Sequence, residues 1–541
     1  MLGLMMDRPL LLSHFIERAE RLYPKREIVT RMPNGIHRTN YAEVGRRARK
    51  LASALGTLGV KPGDRLATFA WNTYRHLEAY FAIPGAGYVL HTLNLRLFPE
   101  QVQFIANHAE DQVIFVDDVL IPMLEKIASE FKTVKAYVVM GDGDLPKTSL
   151  APLIRYEDLL AKGDDAYEWP TFDEKTACAM CYTSGTTGNP KGVLYTHRAL
   201  FLQSMAHAMG DSFALGERDV VLPVVPMFHA NAWCMPFACA MVGAKQVYTG
   251  ANLTPPDVAA LLESEKATIS AAVPTIWTGV LDLLDKEKKE LPYLTRVLCG
   301  GSAVPLSLID RFDKRGIRLM QGWGMTETSP LCSLGRLKLG TEDRPREERL
   351  KLLAKQGLTV PCVDLRIQTD DGKEAPWDGQ TMGEIQVRGP WIIGEYYNDE
   401  RSPQSFTADG WFKTGDIAVL DPDGYIHIQD RAKDVIKSGG EWVSSVELEN
   451  AIMGHPKVLE AAVIGIHHPK WEERPLACVV ERPDYKGKIS KDEIIEHLRP
   501  LFAKWWLPED VVFIEAVPKT SVGKFAKREL RDQFKDFKFS G

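Results

Sequence analysis

The chain has 541 residues, 45% of them apolar and 26% charged, which is length enough to bury a large core without disulfides or a structural metal. Its 66 Lys and Arg against 72 Asp and Glu leave a formal charge of −6, so no strongly basic field exists to hold nucleic acid. Eight cysteines are sparse; Cys178 and Cys181, at CxxC spacing inside the apolar run ACAMCY, read as reduced residues of a buried strand in a cytoplasmic protein. The start, MLGLMMDRPLLLSHF, has no basic n-region or long apolar core, and the end, KFSG, is neither a peroxisomal address nor a lipidation box. No apolar stretch approaches the ~18 residues of a membrane helix, so no integral membrane segment is expected.

In chain order, residues 41–60 carry apolar positions at helical spacing, RLATFAW reads as a strand, and a helix is expected from His76 to Ala86. From residue 176 the pattern becomes regular. ACAMCYT leads into a Gly/Thr loop and then a helical run after His197. The strand-like runs VVLPVVP, KQVYTG, TISAAVPT, RVLCGG and RLMQGWG follow, separated by helical segments such as PPDVAALLESEK and PLSLIDRFDKRG. Strands alternating with helices imply parallel βαβ units with sites at the strand carboxyl ends. Residues 361–430 differ: DLRIQTDDGKEAP, GEIQVRG and GYIHIQD are alternating strands joined by DG and PDG turns, a β-rich subdomain. A compact α+β unit begins near Asp430, where Ser444 and Glu447 fit a capping box opening the helix ELENAIM. The fold class expected is α/β: a large lobe over residues 1–430, with stacked mixed and parallel sheets and the β-rich part at 361–430, and a small mobile α+β domain over 431–541. The small unit holds 19 basic and 18 acidic residues, net +1, against −7 for the rest.

The strongest local signal is YTSGTTGNPKG, residues 182–192. Gly185, Gly188 and Gly192 let the backbone bend so that amides face one anion. Thr183, Ser184, Thr186 and Thr187 add hydroxyls, and Lys191 a point charge for phosphate. The loop is not a Walker A motif: Pro190 takes the second glycine position and Gly192 replaces the magnesium-binding hydroxyl residue.

This loop resembles the signature of the adenylate-forming superfamily, which holds acyl-CoA synthetases, peptide-synthetase adenylation domains and luciferases. Six further segments agree in the family's order: PMFH (226–229), GGSA (300–303), GWGMTETSP (322–330), WFKTGD (411–416), DRAKDVIKSGGE (430–441) and KTSVGK (519–524). The resemblance implies a carboxylate attacking the α-phosphate of ATP to give acyl-AMP and pyrophosphate, followed by displacement of AMP by coenzyme A. It implies that Glu327 binds Mg2+, with Ser184 a weaker contact, and that Thr326 donates to the α-phosphate. Gly301, Ser302 and Ala303 would line adenine and acyl group. Gly322, Trp323 and Gly324 would form the opposite wall, Trp323 stacking on adenine, with Gln321 and Met325 beside them as further cofactor-binding residues. Many relatives carry Tyr at Trp323; stacking survives that change, but a phenolic hydroxyl contact does not. Asp416 would accept both ribose hydroxyls, and Arg431 would reach ribose or phosphate.

The same resemblance puts His229 beside the substrate carboxylate and Trp233, one turn on, along the acyl pocket. PMFHANAWCMPFACAMVGAKQV is similar to bacterial medium- and long-chain fatty acyl-CoA synthetases, a subgroup that includes 3-methylmercaptopropionate ligases and in which the Trp gates the acyl tunnel. Lys524 would bridge carboxylate and α-phosphate, then leave as the small domain turns about Lys433. Lys437, Gly439, Gly440, Glu441 and Trp442 would then line the pantetheine tunnel. A homodimer is implied as well. The function expected is an acid–CoA ligase for medium or long fatty acids; the alternatives are a short acid such as 3-methylmercaptopropionate, or a non-CoA acceptor. Only 17 residues follow Lys524, so no appended carrier domain is expected, and no carboxylate lies between Asp219 and Ala251 to hold an ammonium. Those two facts favour CoA over a carrier and an uncharged tail over an amino acid.

Overall fold

The computed structural model describes residues 1, 3–183, 189–438, 441–519 and 525–539, the side chains of Glu441 and Trp442 excepted. Among these residues the strands form four sheets. A seven-stranded sheet runs, in spatial order, Leu153–Arg155, Ala136–Met140, Val113–Asp117, Arg65–Phe69, Val89–Thr92, Ala177–Tyr182 and Gly192–Thr196. All neighbours are parallel except the last pair. The strands Val89–Thr92, Val113–Asp117 and Ala136–Met140 are short and buried on both faces, so they lack the alternation that marks a half-exposed strand.

A nine-stranded sheet has a parallel centre of Arg318–Gly324, Arg296–Gly300, Ile269–Ala272, Val220–Pro223, Lys245–Tyr248 and Glu27–Met32. Antiparallel strands close both its edges. The helix Tyr74–Gly85 is buried along its whole length, and its two charged side chains are paired, Glu78 with Arg47 at 2.7 Å and Arg75 with Glu157 at 3.1 Å. It sets His76 between the Trp71 carbonyl and the Thr68 hydroxyl, each at 2.9 Å, and burial lowers its pKa to about 4. The β-rich part is a four-stranded antiparallel sheet, Asp364–Gln368, Gly383–Arg388, Phe412–Leu420 and Ile426–Arg431, as the DG and PDG turns predict.

The fourth sheet has five strands, Glu441–Val443, Ile436–Ser438, Glu472–Glu481, Val458–His468 and Asp510–Phe513, with helices Ser445–Met453, Lys491–Leu498 and Lys527–Gln533. It owns a separate apolar core built on Leu448, Ile452, Val463 and Val479. Ser444 caps its first helix by accepting the Glu447 amide at 3.1 Å. The expected reciprocal half of a capping box is replaced: the Glu447 carboxylate lies 3.7 Å from His427 of the preceding sheet. A buried ionic knot joins the two sheets. Asp430 accepts the Ser445 amide at 2.8 Å, the Ser445 hydroxyl meets Lys527, and Lys527 pairs with Glu449 at 2.7 Å. Burial raises the Glu449 carboxyl to about 7. Burial works against the Lys527 ammonium as well, but Glu449 and Asp430 hold it above its ordinary value.

No helix among the described residues is long and apolar enough to cross a membrane. All eight cysteines are free, and Cys178 and Cys181 are buried in their strand.

Candidate active site at the strand carboxyl ends

The parallel strands of the nine-stranded sheet deliver their following segments to one edge, the usual place for a ligand in such sheets. Val220–Pro223 leads to the 226–234 segment, Arg296–Gly300 to Gly301, Ser302 and Ala303, and Arg318–Gly324 to Met325, Thr326 and Glu327. Two of these turns demand glycine. A Cβ at Gly324 would sit 1.7 Å from the Pro330 carbonyl oxygen, and Gly301 has φ +87°. Gly301 and Ser302 are exposed and Ala303 is half-buried. Gln321 is buried with no partner for its Oε1, and its carbonyl accepts the Gly335 amide at 2.7 Å. A Cβ on Gly322 would meet Leu298 and Leu331, so this wall is apolar behind the strand.

Glu327 is buried, and its Oε1 accepts the Tyr396 hydroxyl at 2.7 Å. Burial first, and then the Glu327 charge, push that phenol well above its usual range. The Lys191 ammonium sits over the Tyr396 ring, 4.3 Å from its centroid. The Lys191 amide bonds the Thr183 hydroxyl at 3.2 Å, closing the two ends of the glycine-threonine loop on each other. The Tyr195 hydroxyl bonds the Thr326 carbonyl at 2.8 Å, the Ile393 amide bonds the Glu327 carbonyl at 2.8 Å, and the Tyr397 amide bonds the Gly192 carbonyl at 2.9 Å. Lys191, Tyr396, Glu327 and Thr326 therefore form one cluster drawn from three distant segments. Asp399 flanks it, its carboxyl held down to about 2 mainly by Arg401.

The glycine-threonine loop joins the antiparallel strands Ala177–Tyr182 and Gly192–Thr196, the second of them at the sheet edge, closing the pair Tyr182–Gly192. A strand, Gly192–Thr196, stands between it and the helix His197–Ala208. The loop therefore does not open a helix, and any phosphate it holds gains nothing from a helix N-terminus. The β-branched and aromatic VLYT after Gly192 accounts for the strand. Ser184, Gly185, Thr186, Thr187 and Gly188 lie outside the described residues, as do Gly439, Gly440 and Lys524.

A second cluster is built on Asp416. Its Oδ1 pairs with Arg431 Nε at 2.8 Å, and its Oδ2 accepts the Trp323 indole N–H at 2.9 Å. The two partners arrive by different routes. Arg431 faces Asp416 across the antiparallel ladder, while Trp323 comes from the nine-stranded sheet. Tryptophan at this position thus brings a donor of its own, the indole N–H, where a tyrosine would bring a phenolic hydroxyl. Lys433 is exposed, and Lys437 lines a cavity of about 470 Å3 with Val435, His467, Glu472 and Glu473.

The segment after Pro223 departs from expectation. His229 precedes not an ordinary helical turn but five consecutive left-handed residues, Ala230, Asn231, Ala232, Trp233 and Cys234, with φ of 43°, 53°, 48°, 55° and 60°. Left-handed backbone costs roughly 1–2 kcal/mol per non-glycine residue, so tertiary contacts must hold it. Trp233 is half-buried, and the tip of its indole would lie 3.5 Å from a Cβ on Gly300. Sequence reasoning does not reach Tyr396, Tyr195 or the left-handed turn. The tyrosines join the cluster over long sequence separations, and no local pattern announces such a contact.

Among the described residues no group of three His, Cys, Asp or Glu side chains could hold a metal by itself. Mg2+ is commonly held by one or two carboxylates with substrate phosphates completing its shell, and buried Glu327 offers one such carboxylate.

Comparison with known proteins places these clusters in context. Residues 16–397 match the AMP-binding enzyme family and residues 447–524 the C-terminal domain of AMP-binding enzymes. The chain is 52% identical over 536 residues to a long-chain-fatty-acid–CoA ligase of Thermus thermophilus, covering 98% of this chain and 97% of that protein. It is 46% identical over 539 residues to a 3-methylmercaptopropionyl-CoA ligase of Ruegeria lacuscaerulensis, covering 99% of each. The crystal structure of an anthranilate CoA ligase in complex with anthranoyl-AMP shares the fold at TM-score 0.86 and 25% identity, over 97% of this chain and 98% of that one. With both family models matched in chain order and relatives alike from end to end, the chain belongs to the AMP-binding enzyme family.

Proposed function

We propose that the protein is an ATP-dependent carboxylic acid–CoA ligase acting on medium- or long-chain fatty acids. The observation that carries this reading is the convergence of two clusters at one edge of the molecule, Lys191–Tyr396–Glu327 and Trp323–Asp416–Arg431. The first suits a polyphosphate, the second a ribose. In the first step the acid's carboxylate attacks the α-phosphorus of ATP, forming acyl-AMP and releasing pyrophosphate. In the second the CoA thiol attacks the acyl carbon, forming the thioester and releasing AMP.

Lys191 and the amides of the 183–191 loop take the β- and γ-phosphates, and Thr326 the α-phosphate. Glu327 would hold Mg2+, which would supply positive charge against the phosphates. Asp416 and Arg431 orient the ribose, and Trp323 covers the base. His229 sits by the carboxylate and Trp233 by the tail. Residues 431–541 act as a lid turning about Lys433. Lys524 serves the first step, and the segment from Lys437 to Trp442 serves the second. A hinged lid gives one site two sets of contacts without moving the adenylate. The free cysteines suit a reducing cytoplasmic setting, and the family resemblance is the ground for a homodimer.

A short-acid reading is favoured by one observation, the 46% identity to a 3-methylmercaptopropionyl-CoA ligase. Pyrophosphate release and thioester formation across acetate, 3-methylmercaptopropionate, octanoate and palmitate separate the two. We expect kcat/KM for octanoate or palmitate to exceed that for the short acids by at least ~10-fold, each buried methylene adding to the difference. Preference for 3-methylmercaptopropionate would assign the short acid, and silence with every acid would remove the ligase reading.

A further inference from the structure

We infer that His207 is a positioning residue for the acyl pocket, acting through the backbone of Trp233; the inference rests on Trp233 lining that pocket. His207 lies near the end of the helix His197–Ala208 and is buried. Its Nε2 meets the Trp233 carbonyl at 2.7 Å. A carbonyl only accepts, so Nε2 carries the proton, and Nδ1 then accepts from the Gln203 side-chain amide at 3.5 Å. The Phe213 ring stands edge-on to the imidazole at 4.8 Å, fixing its plane. Burial lowers the His207 pKa to about 4, so the neutral ring with this tautomer persists through the neutral pH range.

The contact matters because of where it falls. Trp233 is the fourth of the five left-handed residues. Its carbonyl lies outside the ladder of the helix that follows, whose first bond runs from the Ala238 amide to the Cys234 carbonyl at 3.0 Å. Other anchors of the turn are weaker or lie to either side of Trp233. The Asn231 side chain meets the Tyr80 hydroxyl and the Cys181 thiol, each at 3.5 Å, and the Cys234 thiol reaches the Ser329 carbonyl at 3.4 Å. His207 grips the peptide of Trp233 itself. The indole tip reaches the Gly300 backbone, where the adenine- and acyl-facing loop begins. A turn of this hand, released at Trp233, can relax toward right-handed backbone and swing the indole off that wall.

Three variants test this, each read by kcat/KM for butyrate and for octanoate, KM for ATP, and thermal midpoint. Trp233→Ala tests the underlying reading and should change the octanoate-to-butyrate ratio. His207→Leu fills the space but removes the donor; it should shift the same ratio by at least ~5-fold with KM for ATP within ~2-fold of wild type. His207→Gln keeps a side-chain N–H and should restore the wild-type ratio. If His207→Leu fails to fold, Gln203→Leu, which strips the partner from Nδ1, should shift the ratio in the same direction. An unaltered ratio in folded His207→Leu, alongside an altered one in Trp233→Ala, overturns the role of His207. An unaltered ratio in Trp233→Ala overturns the acyl role of Trp233, and this inference with it.

Discussion

Asp416→Ala should weaken ATP binding about 100-fold, because it removes two charge-assisted hydrogen bonds of roughly 1.5 kcal/mol or more each. The carboxylate already holds Arg431 on Oδ1 and the Trp323 indole on Oδ2. Two oxygens offer about four acceptor directions, so one on each remains for a ribose hydroxyl. Arg431 and Trp323 therefore do not compete with the ribose; they fix the plane in which the remaining lone pairs point. The alanine variant loses the acceptors and leaves a guanidinium and an indole N–H without their partner. Asp416→Asn keeps the shape but turns one acceptor into a donor, and an intermediate loss is expected. Calorimetric titration with ATP reads the effect directly, and an unchanged affinity would remove Asp416 from the nucleotide site.

Glu327→Gln should lower the rate of adenylation by on the order of 100- to 1,000-fold while leaving the fold intact. The amide oxygen of Gln can still accept the Tyr396 hydroxyl, which Glu327 takes at 2.7 Å, so packing and hydrogen bonding are preserved. What disappears is a buried negative charge whose side chain meets a neutral phenol. The nearby Lys191 ammonium is engaged over the Tyr396 ring, 4.3 Å from the ring centroid. Among the described residues Glu327 makes no ion pair, and a buried carboxylate of that kind is costly and is kept where a cation arrives with the substrate. The magnesium concentration giving half-maximal pyrophosphate release should rise in the variant. A wild-type magnesium dependence would assign the charge of Glu327 to another task.

Much of this architecture is legible in the sequence because it depends on local pattern. Runs such as RVLCGG and RLMQGWG announce buried parallel strands, and the turn chemistry after them marks the edge where Gly301, Met325 and Glu327 gather. The alternation in GEIQVRG and GYIHIQD likewise gives the antiparallel sheet that carries Asp416 and Arg431. What is not legible depends on distance or on hand. Tyr396 reaches Glu327 across 69 residues, which no window of sequence contains. Nothing in HANAWC forecasts five left-handed residues: it has no glycine, and only Asn231 is tolerant of that region. The turn exists because His207, Tyr80, Cys181 and Ser329 surround it, all of them outside the segment. Distance also divides the capping box. Its Ser444 half is local and forms, whereas the Glu447 carboxylate lies beside His427 of another sheet, 3.7 Å away.

Acid activation through an acyl-adenylate moves a carboxylate oxygen onto AMP, and the proposed function stands or falls on that step. Supplying a fatty acid with both carboxylate oxygens replaced by heavy oxygen, together with ATP, Mg2+ and CoA, tests it most directly. Attack on the α-phosphorus puts one labelled oxygen on that phosphate, and the thiol then cleaves the acyl carbon–oxygen bond. Mass spectrometry should find one heavy oxygen in AMP, the other in the thioester carbonyl, and none in pyrophosphate. Unlabelled AMP, or label in inorganic phosphate beside ADP, would contradict the account.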